Sequence, residues 1–487
     1  MPEGPIAIDD ARRQHDSPLL FEQVARAVRE LISARTLVAG DRAPSLRASA
    51  RHLGVSVATV VRAYEELERE GRLEARLRSG YYIATPTAVA TPARPRAAGR
   101  VPAARPVRAG EHVDEIIESA RLPGVVPFAV ANPGTDLLPS KALGRALRAV
   151  AAGSPASLID YAPMAGEPAL QQEIAAHASR LGAPVDPGDV VVTAGATEAL
   201  ALALRVVTRP GDTVVVESPV YFGLLRLLES HALRAIELPT DPINGLEPES
   251  LERVLARTSV AAVVSIATFN NPTGSLVPTA ARERIVALCA RHRTTLIEDD
   301  LYADLHAGER RPRSYRDVGD ATWVVTCSSF SKTVAPGFRI GWVISSRHRV
   351  GLVERKIVAS GSNARLPQLA MARFLGDGQY GRHVARLRRA YREQLRCLRA
   401  SVHRHLPDGT RTSDPAGGFV LWVSLAGSVD TQALYRRAIA DDISFAPGAL
   451  FTNGRGFRNC LRLSAGEPWT ERHDVAIAHL AALAAER

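Results

Sequence analysis

Lysine is almost absent from this chain. Of its 61 basic residues only Lys141, Lys332 and Lys356 are lysines, the rest being arginine. Arginine stays protonated and does not form imines, so carbonyl-trapping chemistry has three candidate side chains. Cysteine is also scarce. Cys289, Cys327, Cys397 and Cys460 are far apart, without CxxC or Cys/His ligand spacing, so no metal site is expected and a reduced, cytoplasmic compartment fits. No run of about 18 uncharged apolar residues occurs, which argues against a membrane span. The segment Met1 to Asp16 has acidic residues and no apolar stretch, which argues against a signal peptide. No internal repeat is evident.

What is present is 487 residues of ordinary apolar and charged content, enough for two to four domains with a sizeable core. The net charge of +10 is uneven: residues 1–110 hold 18 arginines, no lysine and 12 acidic residues. Over half of the excess therefore lies on less than a quarter of the chain. That asymmetry suggests a negatively charged partner for the N-terminal part, although arginine-rich coding usage produces a weaker bias of the same kind.

The stretch from Thr322 to Trp342, TWVVTCSSFSKTVAPGFRIGW, organises the remainder. It reads as an apolar strand over Trp323 to Thr326, a small-residue turn with Lys332, then Arg339 before another apolar strand. An internal Schiff-base lysine with a phosphate anchor has this form, and so does a surface turn with one charge.

Between 17 and 84 the pattern is helical, then alternating. Leu20, Val24, Ala27, Val28, Leu31 and Ile32 share one helical face. Ser45 is placed to cap a short helix, LRASARHL, ending at Gly54, and Ser56 to cap a third with Val57, Val60, Tyr64 and Leu67 inward. Two short helices about a tight turn are a helix-turn-helix, and RLEARLRSGYYIA after them suits a basic two-stranded wing. In such a module Arg47 reaches a phosphate or base edge, Ser56, Thr59 and Arg62 face the major groove, and Arg76 and Arg78 lie on the wing. The alternative is a three-helix bundle with a solvated basic face. The stretch GDRAPSLRASARHLGVSVATVVRAYEELEREGRL resembles the winged-helix domain of GntR-type bacterial regulators. Its wing, Arg-Ser-Gly-Tyr-Tyr, departs from that family's Gly-x-Gly-x-Phe.

Residues 85–112 are rich in Pro, Ala and Arg without periodicity and read as a semi-extended linker. From 113 to 487 strand and helix signals alternate, as in an α/β fold with a mainly parallel sheet. Beyond about Ala359, long Arg/Leu/Ala helices and the strand GGFVLWVSL suggest a smaller α+β lobe. Several turns after the strands carry chemistry of one type. Gly195-Ala196-Thr197 opens a helix in the manner of a phosphate site, Tyr221 follows DTVVVESPV, Asn271 lies in NNPTG, and Asp299 precedes Tyr302 by three residues. Singly each is an ordinary turn; their order ahead of Ser-Phe-Ser-Lys is specific.

Residues 113–487 thereby resemble a fold-type I, pyridoxal-phosphate-dependent class I aminotransferase, and the full chain resembles the MocR group of GntR regulators. The resemblance implies that Lys332 forms the internal aldimine with pyridoxal 5'-phosphate. It also implies that Ser329, Arg339, Ala196 and Thr197 hold the phosphate, that Asp299 pairs with the pyridine nitrogen, and that Asn271 and Tyr302 bond the phenolic oxygen. Tyr221 would stack on the ring, and Tyr161 in YAPMAGEPAL would reach the phosphate of a neighbouring subunit, which implies a homodimer with paired half-sites on DNA. Arg462 would grip a substrate carboxylate, with a structural salt bridge as its alternative. Independently, a partly desolvated lysine near Arg339 and a pyridinium should have a lowered pKa. The functional expectation is a cytoplasmic transcription regulator of double-stranded promoter DNA whose cofactor domain senses an amino-containing ligand, an amino acid in particular, or pyridoxal phosphate itself. The alternative is an aminotransferase with an accessory DNA-binding domain.

Overall fold

The computed structural model describes residues 20–33, 36–37, 40–69, 72–76, 80–83, 102–108, 113–427 and 429–486, with the backbone only for residues 33, 69, 74, 76 and 181. The chain divides at residue 89 into two compact units, each described by itself.

The first unit has helices α1 (Leu20–Ser33), α2 (Leu46–Leu53) and α3 (Val57–Arg69), then strands β1 (Leu73–Arg76) and β2 (Gly80–Ile83). The Ser45 side chain accepts from the Ala48 amide and Gly54 closes α2 in the left-handed region, so both ends of this short helix are capped. Val24, Val28, Val60, Tyr64 and Leu67 make the core. Leu20 and Val57, expected inward, are exposed; each begins its helix, where the first turn overhangs the core. β1 and β2 pair antiparallel as the wing. The wing is pinned by backbone bonds from Ala43 to Tyr81 and from Ile83 to Asp41, both between 2.8 and 2.9 Å. The Tyr64 hydroxyl donates to the Pro44 carbonyl at 2.9 Å and lies 3.0 Å from Ser49 Oγ. Its ring meets Tyr81 edge-on at 5.3 Å, so one phenol joins α2, α3 and the wing.

The second unit is built on an eight-stranded sheet. Across it run Arg105–Pro106, Arg234–Pro239, Thr213–Ser218, Ala262–Ser265, Thr295–Asp299, Val324–Ser329, Gly341–Ile344 and Val190–Thr193. The five central strands are mutually parallel, and Gly341–Ile344 runs antiparallel to both its neighbours. Val214 and Val216 pack beneath the helix Ala196–Val207, whereas Val215 and Val263 pack toward Ile285 and Val254 on the other face. Burial on both faces explains why these strands read as continuous apolar runs. Arg105–Pro106 lies in the stretch expected to be linker, yet it adds an antiparallel edge strand. Proline is tolerated there because an edge strand has one unpaired side. Asn453 secures it, accepting from the Arg108 amide at 2.8 Å and donating to the Pro106 carbonyl at 3.0 Å.

The smaller lobe holds the strands Arg411–Thr412, Val420–Ser424, Cys460–Ser464 and Ala446–Pro447 with the long helix Gln379–His405. It is not only C-terminal. Val113, Ile116 and Phe128 enter its core, and Val126–Pro127 pairs with Ile443–Ser444.

Tyr64→Phe keeps the packing and removes the hydroxyl that serves Pro44 and Ser49. The loss should be about 1–2 kcal/mol. Hydrogen exchange over residues 45–67 should quicken about tenfold while exchange over 190–344 stays unchanged.

Candidate cofactor site and DNA-binding face

The functional side chains gather where parallel strands end, the place at which open α/β sheets bind ligands. Asp299 closes the strand Thr295–Asp299 and is 5% exposed, and its Oδ1 has no hydrogen-bond partner. Burial first, then the neighbouring Asp300 carboxylate, pushes its pKa up to about 7, against the Leu301 amide and the Lys332 charge. Lys332 stands on the wide hairpin joining Val324–Ser329 to Gly341–Ile344. Its Nζ donates to the Ala131 carbonyl at 2.6 Å and to Asn132 Oδ1 at 3.3 Å. Burial, then the charges of Arg462 and Arg339, lower its pKa to about 8, while Asp299 opposes them.

Arg462 rises from the strand Cys460–Ser464 and is 1% exposed. It donates to Asn271 Oδ1 at 3.2 Å and to the Ala129 carbonyl, and its Nε has no partner. Burial lowers its pKa to about 10. Tyr302 hydrogen-bonds Asn271, and its phenol is raised by burial. Tyr221 is half-buried, its phenol raised by burial and by the Asp299 charge. Lys332, Asp299, Asn271, Tyr302, Tyr221 and Arg462 therefore form one electrostatically linked group.

Beside this group is a cradle. Gly195 has φ +87° and precedes the helix Ala196–Val207, which has no side-chain cap, so its first amides are open to an acceptor. A Cβ on Gly195 would fall 2.5 Å from Arg339 Nη2, and one on Gly341 would fall 2.5 Å from the Gly195 carbonyl carbon. Only glycine at both positions lets the hairpin and the helix start approach this closely. Arg339, at φ +53°, donates to the Ala194 carbonyl at 2.7 Å. Ser329 Oγ accepts from the Ser331 amide at 3.1 Å, and Thr197 is exposed at the rim beside Ala196. A cationic, amide-lined cradle, a lysine amine and an unpaired buried carboxylate together suit a phosphorylated pyridine aldehyde.

Tyr161 is not brought to this group: it is 89% exposed on this single chain. Ala131, Asn132 and Gly341 touch the site or its cradle without having been singled out in the sequence. The Ala-Asn-Pro-Gly run after an apolar stretch was the available signal for the first two.

In the N-terminal unit Arg47 is exposed on α2. Ser56 Oγ accepts from the Thr59 amide at 3.1 Å and lies 2.8 Å from Thr59 Oγ1, so this pair also caps α3. Arg62 is exposed but stacks on the Phe21 ring at 3.9 Å, which ties it to α1. The side chain of Arg76, and Arg78 altogether, lie outside the described residues.

Fold and site define a winged helix-turn-helix joined to a fold-type I transferase domain. Residues 124–480 match the model of the aminotransferase class I and II family, and residues 20–83 that of the gntR family of bacterial regulatory proteins. The chain is 35% identical to the uncharacterized HTH-type transcriptional regulator YdcR of Escherichia coli, over 96% of this chain and 99% of that one. It is 28% identical to the probable rhizopine catabolism regulatory protein MocR of Rhizobium meliloti, over 89% of this chain and 87% of that one. The crystal structure of the alpha-aminoadipate aminotransferase LysN of Thermus thermophilus, complexed with N-(5'-phosphopyridoxyl)-L-leucine, superposes with a TM-score of 0.71 at 27% identity. That likeness covers 77% of this chain and 94% of LysN. The chain belongs to the MocR group of GntR-type regulators, in which a DNA-binding domain is fused to an aminotransferase-like domain.

With three lysines in all, labelling their amines with isotopic methyl groups gives a resolvable spectrum. One signal should titrate near pH 8, protonated below and neutral above. Arg462→Met should raise that midpoint and Asp299→Asn should lower it, because the first removes a like charge and the second an opposite one.

Proposed function

We propose that this protein is a DNA-binding regulator whose C-terminal domain holds pyridoxal 5'-phosphate at Lys332 and uses it to sense an amino-containing ligand. The observation that carries this reading is the Lys332, Asp299 and Arg462 group in a chain that also has a GntR-type domain. When bound, pyridoxal phosphate supplies an aldehyde that captures amines and a ring that draws electrons from them. Lys332, with its lowered pKa, is partly neutral near pH 8 and so available to the aldehyde. Asp299 would hold a proton at the pyridine nitrogen, satisfying its unpaired Oδ1. Asn271 and Tyr302 would donate toward the phenolic oxygen, and Tyr221 would cover the ring. Arg339, Ser329 and the amides of Ala196 and Thr197 would hold the phosphate.

Arg462, with an unused Nε, would hold the carboxylate of an amino-acid ligand. With such a ligand bound, the Lys332 amine would be held by the Ala131 carbonyl and Asn132, as it is here. Two arrangements of the hairpin around Lys332 are the physical basis for a change in DNA binding. The exposed Tyr161 supports a homodimer in which it completes the partner's cradle, with the DNA read as paired half-sites. Arg47, Ser56, Thr59 and Arg62 would contact the duplex, with Arg76 and Arg78 on the wing. The reading places the protein with its DNA in the cytoplasm.

A second reading, an aminotransferase with an accessory DNA-binding domain, draws on the same complete residue set and on the likeness to LysN. What favours regulation is extent: YdcR matches over 96% of this chain, winged helix included, whereas the LysN likeness covers 77%.

Protein loaded with pyridoxal phosphate should absorb visible light, and Lys332→Ala should be colourless after dialysis; an unchanged spectrum rejects the cofactor. Arg47→Ala and Arg62→Ala should weaken binding to the upstream DNA and each lower its salt slope by about 1. Amino acids and pyridoxal phosphate, screened for a joint change in spectrum and DNA affinity, identify the effector. Sustained turnover of an amino donor with a keto acid, at about 1 per second or faster, supports the second reading.

A further inference from the structure

One groove in the C-terminal unit has no part in the chemistry above. Its volume is about 530 Å³. Such a size belongs to small-molecule sites, roughly 300–1,000 Å³. Its walls are the first turns of the helices Ser140–Gly153 and Gln379–His405. Lys141, Arg145, Arg382 and Arg386 line it, against the single carboxylate of Asp136. Lys141, Arg145 and Arg382 are exposed and have no ion-pair or hydrogen-bond partner among the described residues. Four cations around one concavity repel each other, and a multiply charged anion relieves that repulsion. Neither helix has a side-chain cap, so open amides add to the positive potential. Arginine forks match phosphate oxygens in pairs.

The groove is also wired to Lys332. His383 forms its buried floor, and its Nε2 donates at 2.6 Å to the carbonyl of Thr333, the residue after Lys332. His383 Nδ1 must then accept, and it does so from Arg386 at 3.3 Å. An anion that draws Arg386 away removes that bond. The opposite wall, at Asp136 and Leu138, continues from Ala131 and Asn132, the two acceptors of the Lys332 amine.

We propose that this groove binds a small metabolite bearing a diphosphate group, and that its occupancy is transmitted to Lys332 through His383–Thr333 and the 131–138 segment. The binding itself does not depend on the cofactor reading, so the two can fail separately. Concavity and a buried floor favour a small anion over the DNA backbone.

The test titrates the full chain with inorganic pyrophosphate by calorimetry at fixed ionic strength. Saturable binding is expected, with inorganic phosphate weaker. An Arg145→Ala/Arg382→Ala double variant should bind about tenfold less tightly or worse. If that variant melts early, Arg382→Gln alone serves, and a loss with an unchanged melting temperature supports the site. The labelled Lys332 signal should shift on adding pyrophosphate to the wild type and stay fixed in the variant. Absence of saturable binding, or full retention by the variants, overturns the proposal. A static Lys332 signal in saturated wild type overturns the transmission. Variants that lose promoter affinity, in a protein that does not bind pyrophosphate, would assign the groove to DNA and overturn it as well.

Discussion

A buried lysine amine, its pKa lowered first by removal from water and then by two guanidinium charges against one under-bonded carboxylate, is the interaction on which this site depends. Burial lowers the amine's pKa most, the Arg462 and Arg339 charges lower it further, and Asp299 opposes them. Arg339 takes its place because the hairpin carrying Lys332 lies against the start of the helix Ala196–Val207. Gly195 and Gly341, which have no Cβ to keep the backbones apart, allow that contact. Backbone packing thus sets the position of Arg339, one of the charges that lower the amine's pKa.

Such a site is costly to fold. Arg462 and Asp299 are almost wholly buried, and each keeps a polar atom without a partner. Burial of a charge with incomplete hydrogen bonding disfavours the folded state, and well-packed apolar side chains would be more stable here. Two unpartnered polar atoms within one site, Asp299 Oδ1 and Arg462 Nε, are groups that a ligand can complete. The surrounding α/β sheet, buried on both faces, supplies the stability to offset the cost.

Most of this architecture was legible because its signals are local. Val190–Thr193 and Thr213–Ser218 are β-branched runs; Asp299 closes a strand of this apolar kind, and Asn271 and Lys332 sit beyond the ends of two others. The misses are non-local. Val57 falls on the same helical period as Val60 and Tyr64, yet at the first turn there is no core beneath it. Arg105–Pro106 has no periodicity to read, since a two-residue edge strand is defined by its neighbour alone. The same holds for residues 113–128, which join a lobe whose four-stranded sheet and long helix lie from residue 379 onward. Gly341 gains meaning only from Gly195, far away in the sequence. For Tyr161, composition shows nothing that exposure does not also leave open, because its expected contact belongs to a second chain.

Whether Lys332 serves sensing or turnover is a question of what its release moves. In an enzyme the amine must return quickly, and the surrounding backbone should change little. Here the amine's two acceptors belong to the 131–132 segment, which belongs to the smaller lobe as much as to the sheet, since Phe128 and Ala129 lie in that lobe's core. Arg462 holds the same segment through the Ala129 carbonyl. Lys332 and Arg462 therefore hold one segment, Ala129 to Asn132, from two attachments. The residues that make these attachments have a chemistry that would equally serve a transaminase.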